Sequence, residues 1–415
     1  MKSILKNTNF VLLWTAQVLE QFGDSLVILS LISWAMGLHE KGTAAGNISL
    51  LMLWIAVPIV LVGPVAGVFV DRLKKKTMLA SAAAIRGICI LIISMLIYDR
   101  SNGASVYLMV FLISAVSQFF GSAKSAFIPQ LVRSDELIDA NSMTAASVIT
   151  AQIFTYAIGG VMIAGMGNQK IIFAAACVYF AVAAVILFIK SDERPAGQKR
   201  DRKGNELWRE FFTGLKFLFT EKDIFFMVRS VFILVVGAGL IYVSLTGNFL
   251  AIIIASTGMK TAGIKALGFM QAFLGFGLVA GMFFVSNAVK WIREKDLVRL
   301  VFPLLGAAVV MLYFFRDYYF LLFIAVAAGM AGVIVISLTE TSIQKNTPRR
   351  LRGRVFSVYY ILRTAGLAFA SSLTGVIAGV IHEEEIVLFT GGLLALYGVI
   401  SIITAAAGKR QKTGG

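Results

Sequence analysis

Long apolar runs alternate with short polar connections along almost the whole chain. A helix needs about 20 mostly apolar residues to cross a bilayer, and runs of that length recur from one terminus to the other. The pattern predicts twelve transmembrane helices, which cover residues 10–38, 46–70, 77–98, 105–130, 140–166, 170–190, 223–255, 265–288, 298–316, 318–344, 354–381 and 385–407. A transmembrane β-barrel would need short segments of alternating polarity instead. The predicted fold class is therefore an all-α polytopic membrane protein.

The longest polar connection, residues 191–222, separates the sixth predicted helix from the seventh. Its second part alternates large apolar side chains with charges, and this pattern predicts an amphipathic helix that lies in the cytoplasmic membrane interface. The chain is thus predicted to contain an N-terminal six-helix bundle over residues 1–190, the linker over 191–222, and a C-terminal bundle with a short basic tail over 223–415.

The two halves share a weak internal repeat. Gly277 and Gly281 lie 214 positions after Gly63 and Gly67, and both pairs have the spacing that lets membrane helices approach closely. Two parallel six-helix repeats are the architecture of a large class of secondary transporters. The sequence therefore predicts two pseudo-symmetric bundles of six helices.

Charge sets the predicted orientation. The chain is 58% hydrophobic and 14% charged, and its net charge is +16; soluble domains are about 25% charged. The connections on the side that holds both termini carry 28 Lys and Arg residues, and those on the other side carry six. The positive-inside rule therefore places both termini of this multi-pass protein in the cytoplasm. The same rule explains the positive charge, so no nucleic-acid partner is expected.

The chain lacks the sequence motifs of several other classes of protein. No G-x-x-x-x-G-K-[ST] loop for ATP is present, and no cluster of His and Cys has the spacing of a metal site. The two cysteines, Cys89 and Cys177, lie inside apolar runs and are interpreted as packing residues. No Ser/His/Asp set can be assembled at one membrane depth. Neither enzyme activity nor a bound cofactor is expected.

A polar stripe on the first predicted helix is the most informative candidate site. Gln17, Glu20, Gln21 and Asp24 stand at i, i+3, i+4 and i+7, so they share one helical face. Such a face cannot contact lipid and must line a cavity or meet polar groups on other helices. Two carboxylates one turn apart repel each other when both are ionised. We therefore expect one of them to exchange a proton near neutral pH.

Three further charges lie inside predicted helices: Arg86, Glu340 and Arg363. With Glu20 and Asp24 they form the candidate set for proton coupling or substrate contact, because charges in the bilayer tend to mark transport pathways. The alternative is structural. Glu20 and Asp24 would then pair with Arg86 or Arg363, and Glu340 would pair with Arg363. Two other cations, Lys124 and Arg229, lie near helix ends and are interpreted as interfacial.

A short charged loop carries a family resemblance. The stretch "GVFVDRLKKK" resembles the signature between helices 2 and 3 of the major facilitator superfamily, which reads G-x-x-x-D-R-x-x-[RK]-[RK]. The matching residues are Gly67, Asp71, Arg72, Lys75 and Lys76. In that family the loop meets helix 11, which is preceded here by "RRLRGRVFS". The resemblance therefore implies a cytoplasmic gate in which Asp71 meets Arg354.

Other segments are similar to the branch of the superfamily that contains macrolide-efflux and siderophore-export proteins. These are "NFVLLWTAQVLEQFGDSLVILSL", "IPQLVRSDELIDANSM" and "LRGRVFSVYYILRTAG". The resemblance implies a bacterial inner-membrane protein, proton-driven export and a broad or lipophilic substrate. Two antiporter motifs are altered, since Tyr156 and Ala157 replace a Gly-Pro pair and Gln118 replaces an arginine. In the family, helices 1, 4, 7 and 10 line a central cavity, which implies the additional lining residues Gln17, Gln21, Gln118 and Asn248.

The sequence thus predicts a secondary transporter that exports drug-like or amphipathic molecules by alternating access. It is expected to use the proton gradient and to function as a monomer, with a small-molecule substrate and the lipid bilayer as its partners. Two alternatives remain open. One is a dedicated exporter of an endogenous metabolite such as a siderophore or a lipid. The other is a membrane sensor or assembly protein that has the same fold and transports nothing.

Overall fold

The computed structural model describes residues 4–37, 44–98, 103–133, 136–190, 204–256, 263–348 and 351–413. Within these ranges the regular structure is helical, and twelve helices are long and apolar enough to cross a membrane. Each contains an 18-residue window with at most two charged residues. The predicted fold class and the predicted number of spans are confirmed.

Helices follow one another through both halves of the chain. The first half contains α1 (Thr8–Met36), α2 (Ala44–Arg72), α3 (Lys75–Tyr98), α4 (Gly103–Leu131), α5 (Leu137–Met166) and α6 (Asn168–Leu187). The linker helix is α7 (Gly204–Thr220). The second half contains α8 (Lys222–Ser244), α9 (Leu250–Ser256), α10 (Gly263–Ala288), α11 (Glu294–Phe314), α12 (Tyr318–Asn346), α13 (Arg352–Ile377) and α14 (Glu383–Thr413).

The described residues fall into two compact units. Unit 1 is formed by residues within Met1–Leu38, Leu50–Asp201 and Ile264–Ala272, and unit 2 by those within His39–Ser49, Arg202–Gly263 and Phe273–Gly415. The predicted bundle limits at residues 190 and 223 stay predictions.

The core of unit 1 lies where α1, α3, α4 and α6 meet. α3 packs against α4 and α6, and α1 packs against α5 and α6. The core side chains are apolar, and the larger ones include Phe10, Leu13, Leu79, Phe120, Phe127, Val182 and Ile186. Because lipid tails are as apolar as these side chains, close packing rather than exclusion from water holds the helices together.

In unit 2, three helices pack around α8. α8 packs against α12, α13 and α14, and α11 packs against α14. Close packing of α10 on α12 depends on glycine: a Cβ atom on Gly277 would meet the backbone of Val326, and one on Gly281 would meet Val333 and the backbone of Met330. The glycine spacing noted in the sequence therefore lies at a helix contact.

The seventh predicted helix, 223–255, is not continuous, and this part of the prediction is wrong. α8 ends at Ser244, a π-helical turn covers Leu245–Phe249, and α9 begins at Leu250. The backbone leaves the helical conformation at Gly247, where ψ is −126°. The backbone N–H of Phe249 donates to the carboxylate of Glu383 at 3.1 Å. A buried carboxylate from the start of α14 therefore satisfies a backbone group that the break releases.

The linker helix α7 packs against α13. The chain approaches closely at Gly214, where a Cβ atom would lie 2.8 Å from the carbonyl oxygen of Arg354. The amphipathic helix predicted for the linker is present, whereas its position in the membrane interface stays a prediction.

Candidate transport site

Three helices of unit 1 bring a charged cluster together. Glu20 and Asp24 stand one turn apart on α1, Arg86 lies on α3 and Tyr179 lies on α6. Glycine makes this approach possible, since a Cβ atom on Gly23 of α1 would lie 3.0 Å from the ring of Tyr179. We call Glu20, Asp24, Arg86 and Tyr179 the unit 1 network.

Arg86 is the centre of the unit 1 network. Its Nη1 donates to Glu20 Oε1 at 2.6 Å, and its Nη2 donates to an oxygen of Asp24 and to the Tyr179 hydroxyl, the latter at 2.5 Å. The Tyr179 hydroxyl in turn donates to the same oxygen of Asp24. The guanidinium carbon lies 4.5 Å from the centre of the Tyr179 ring. The pairing of Glu20 and Asp24 with Arg86 that the sequence left open is thus formed.

Exposure differs sharply within this cluster. The Arg86 side chain is 1% exposed and that of Glu20 is 10% exposed, whereas that of Asp24 is 31% exposed. Lys124 of α4 lies near the other oxygen of Glu20, with Nζ at 3.9 Å from Oε2, and is 19% exposed. Two carboxylates and two cations therefore balance one another, and Asp24 is the more exposed of the two carboxylates.

Two members of this site were missed in the sequence. Tyr179 stands in an apolar run with no polar neighbour at helical spacing, so no local signal marks it. Lys124 was interpreted as an interfacial side chain, and its position beside Glu20 was not predicted. Both contacts join helices that are far apart in the sequence.

The predicted cavity-lining residues have different surroundings. Gln17 is 2% exposed and its amide donates to the carbonyl of Thr144 at 3.0 Å, so it ties α1 to α5. Gln21 is half-buried. Gln118 is half-buried and donates to a backbone carbonyl one turn earlier in α4 at 3.2 Å. Asn248 belongs to the π-helical turn, and its side chain lies outside the described part of the chain.

The residues of the predicted cytoplasmic gate are only partly described. Asp71 and Arg72 are the last residues of α2 rather than loop residues. The surroundings of Gly67 and the side chains of Asp71 and Arg72 lie outside the description. Lys75 begins α3, is 5% exposed and donates to the carbonyl of Leu73 at 3.0 Å. Lys76 and Arg354 are half-buried. Contact between Asp71 and Arg354 stays a prediction.

Unit 2 contains the second predicted charge pair. Arg363 Nη1 lies 3.6 Å from Glu340 Oε1, and both side chains are about one-third exposed, at 32% and 29%. The Tyr360 hydroxyl donates to the same oxygen of Glu340 at 3.5 Å. The guanidinium carbon of Arg363 lies 5.1 Å from the centre of the Tyr360 ring.

A family model described as a transmembrane secretion effector matches residues 2–411. The chain belongs to this family. It is therefore a transporter of the major facilitator superfamily, as the loop at 67–76 indicated. The match covers nearly the whole chain, so it includes both units and the linker between them.

Sequence relatives of this transporter are bacterial. It is 24% identical over 405 residues to the "Uncharacterized MFS-type transporter YfiS" of Bacillus subtilis (strain 168), a match that covers 94% of this chain and 92% of the relative. It is also 24% identical over 404 residues to the "Putative bacilysin exporter BacE" of Bacillus amyloliquefaciens, with 95% of this chain and 94% of the relative covered.

Solved structures show the same fold. A variant of the nucleoside transporter NupG superposes with a TM-score of 0.71 at 12% identity and covers 95% of this chain and 99% of that one. A bacterial homologue of the human lysosomal transporter Spinster, solved in an inward-facing and unoccupied conformation, superposes with a TM-score of 0.69 at 10% identity. That match covers 96% of this chain and 95% of the homologue.

The transporter is thus a multi-pass membrane protein whose substrate is a small molecule. Members of this superfamily are generally not enzymes. Within the described ranges, no group of three or more His, Cys, Asp or Glu side chains is placed to hold a metal ion.

Proposed function

We propose that this transporter exports drug-like or amphipathic molecules across the bacterial cytoplasmic membrane in exchange for protons. The unit 1 network is the proposed coupling site. One observation carries the proposal: Asp24, a partly exposed carboxylate inside a membrane-spanning helix, is bonded directly to a buried arginine and a buried tyrosine. Ionisable groups in such positions mark proton pathways in many transporters.

Protonation of Asp24 would change the balance of the unit 1 network. Arg86 cannot give up its proton, so the cluster would gain one uncompensated positive charge. Removing one partner of a buried ion pair costs about 3–5 kcal/mol. A cost of this size is enough to shift an equilibrium between two conformations that differ by a few kcal/mol. Proton uptake at Asp24 could therefore select one state of the transport cycle.

The Tyr179 hydroxyl would take part in the same step. It donates to Asp24 while the carboxylate is ionised, and it can turn to accept a hydrogen bond once Asp24 carries the proton. Glu20 is paired with Arg86 and lies 3.9 Å from Lys124, so two cations favour its ionised form. We assign proton exchange to Asp24, and we assign to Glu20 the role of keeping Arg86 in position.

Direction and location are supported by different observations. The similarity to a relative named as an exporter favours outward transport. The excess of Lys and Arg in the connections on one side supports a cytoplasmic location for both termini. The proposed driving force is the proton gradient, and the proposed working unit is the monomer.

The first test measures protection of an efflux-deficient bacterium against a panel that includes erythromycin and the dye Hoechst 33342. We expect the wild-type chain to protect and Asp24→Asn to lose protection at equal membrane abundance. The matched control is Asp223→Asn, which makes the same chemical change at an exposed carboxylate paired with Lys295. Full protection by both Asp24→Asn and Glu20→Gln would remove the unit 1 network as the coupling site.

A second candidate function is the export of one dedicated metabolite. The relative whose name gives a single cargo, bacilysin, favours it. Deletion of the gene in its own host, followed by comparison of intracellular and extracellular metabolites, separates the two candidates. Retention of a single compound inside the cell would support dedicated export, whereas increased sensitivity to several unrelated drugs would support broad export.

A further inference from the structure

The Glu340–Arg363 pair of unit 2 is longer and more exposed than the Glu20–Arg86 pair of unit 1. Arg363 and Glu340 lie 3.6 Å apart with side chains 32% and 29% exposed, whereas Arg86 and Glu20 lie 2.6 Å apart with side chains 1% and 10% exposed. A charge-assisted hydrogen bond between such groups normally measures about 2.7–2.9 Å. The Glu340–Arg363 pair therefore lacks a short charge-assisted hydrogen bond, and both side chains are partly exposed.

Aromatic rings surround this pair. Phe356, Tyr360 and Arg363 stand at i, i+4 and i+7 on α13, so they share one face of the helix. The rings of Phe356 and Tyr360 are stacked, with centres 6.0 Å apart and planes at 28°. Tyr360 is 43% exposed. We call Glu340, Phe356, Tyr359, Tyr360 and Arg363 the unit 2 patch.

The unit 2 patch cannot face the acyl chains of the lipid. Arg363 stands eleven residues after the first residue of α13, Arg352, which is about 16 Å along the helix at 1.5 Å per residue. A charged side chain at that depth faces the protein interior or a water-filled cavity, because contact with hydrocarbon is too costly. The exposed part of the patch is therefore accessible to water and to a dissolved ligand.

Tyr359 supplies a second observation that points to a ligand. It is 1% exposed, and its hydroxyl has no acceptor within the part of the chain that the structure describes, while the Arg363 guanidinium lies near enough to donate to it. Buried hydroxyl groups are normally hydrogen-bonded. An oxygen atom of a ligand that reached Arg363 would give this hydroxyl an acceptor.

We propose that the unit 2 patch is a substrate subsite for aromatic zwitterions. The acidic group of the substrate binds Arg363, its amine binds Glu340 and its ring packs on Tyr360. An anion alone would bring a second negative charge beside Glu340, and a cation alone would bring a second positive charge beside Arg363. A molecule that carries both charges replaces each partner and leaves the patch neutral, which discriminates against singly charged analogues. This inference rests on the proposed function only in requiring a small-molecule cargo.

The test compares three probes that share an indole ring and a short side chain. Tryptophan carries both charges, tryptamine carries only the amine and indole-3-propionate carries only the carboxylate. Equilibrium dialysis against the purified full chain in detergent measures each affinity without any proton gradient. We expect tryptophan to bind about tenfold more tightly than either analogue, since loss of a charged contact costs at least about 1.4 kcal/mol.

Two variants should change this preference in opposite ways. In Arg363→Gln only Glu340 remains charged, so tryptamine should bind at least as tightly as tryptophan. In Glu340→Gln only Arg363 remains charged, so indole-3-propionate should bind at least as tightly as tryptophan. Arg293→Gln is the matched control, because Arg293 is 68% exposed at the start of α11. Should either variant fail to fold, Tyr360→Leu, at an exposed ring, should weaken all three probes alike and keep their order.

Equal binding of the three probes by the wild-type chain, or no binding of tryptophan, overturns the proposal. The outcome is separate from that of the coupling site. Asp24→Asn should keep the preference for tryptophan, since Asp24 lies in unit 1. Loss of coupled export in Asp24→Asn together with equal binding of the three probes would contradict the subsite and support the proposed function. Coupled export that persists in Asp24→Asn together with a preference for tryptophan would support the subsite and contradict proton coupling at Asp24.

Discussion

At the scale of single residues, Arg86 joins three helices of unit 1. Its planar guanidinium reaches Glu20, Asp24 and Tyr179 at once. Lysine has one compact charge and cannot reproduce this fork. The three oxygens are therefore held in one arrangement by a single side chain, which stabilises the approach of α1, α3 and α6.

Replacing Arg86 with leucine should destabilise the protein strongly. Two carboxylates would be left in a buried site without their main partner, at a cost of about 3–5 kcal/mol. We expect a clear fall in the melting temperature of the purified Arg86→Leu chain. The triple variant Arg86→Leu, Glu20→Gln and Asp24→Asn should recover most of this loss, because no unpaired carboxylate remains. A wild-type melting temperature for Arg86→Leu alone would show that the cluster does not stabilise unit 1.

The sequence was sufficient to predict the charged members of the unit 1 network but not its tyrosine. Glu20 and Asp24 are recognisable because their spacing places two carboxylates on one face of an apolar helix. Arg86 is recognisable as a charge inside a predicted apolar helix, and its pairing with them was one of two alternatives. Tyr179 and Lys124 meet the carboxylates only through helix packing, which leaves no local pattern in the sequence.

At the scale of elements, the break between α8 and α9 is the main departure from the predicted helices. Apolar residues dominate on both sides of Gly247, so a single helix was expected although Ser244, Thr246 and Asn248 are polar. The partner that stabilises the break, Glu383, lies 134 residues from Phe249. Periodicity reports local structure and cannot reveal a contact at that separation.

This break should depend on both Gly247 and Glu383. A Cβ atom on Gly247 would lie 2.7 Å from both carboxylate oxygens of Glu383, so Gly247→Ala should displace that carboxylate. Glu383→Ala should remove the acceptor of the Phe249 N–H, which costs about 1–3 kcal/mol for a buried group. Hydrogen–deuterium exchange of residues 245–256 should become faster in both variants.

The matched control for the break is Glu385→Ala, which removes a carboxylate from the same first turn of α14. It should leave the exchange of residues 245–256 unchanged. If Gly247→Ala and Glu383→Ala also exchange at the wild-type rate, the carboxylate does not hold the break.

At the scale of the whole molecule, the even number of spans and the asymmetry of charge make a prediction about topology. Both termini should lie in the cytoplasm, because the connections on their side carry most of the Lys and Arg. Green fluorescent protein fused after residue 413 should fluoresce, and alkaline phosphatase fused there should be inactive. A phosphatase fusion at His382, in a connection that is predicted to be external, is the control and should be active. The opposite pattern would reverse the orientation.

The whole-molecule fold was accessible from the sequence because a bilayer permits few solutions. Spanning segments must be helical and apolar, and their number and sidedness can be counted. Substrate recognition is not constrained in this way. The unit 2 patch combines side chains of α12 and α13 whose separation and exposure follow only from the packed structure.

Proton movement coupled to substrate movement is the measurement that tests the central claim most directly. The purified chain is reconstituted in vesicles that contain the pH-sensitive dye pyranine, and the compound with the strongest growth protection is added. We expect the wild-type chain to move protons only when substrate is present, and Asp24→Asn to exchange labelled for unlabelled substrate without moving protons. Substrate-dependent proton movement at the wild-type rate in Asp24→Asn would contradict the account.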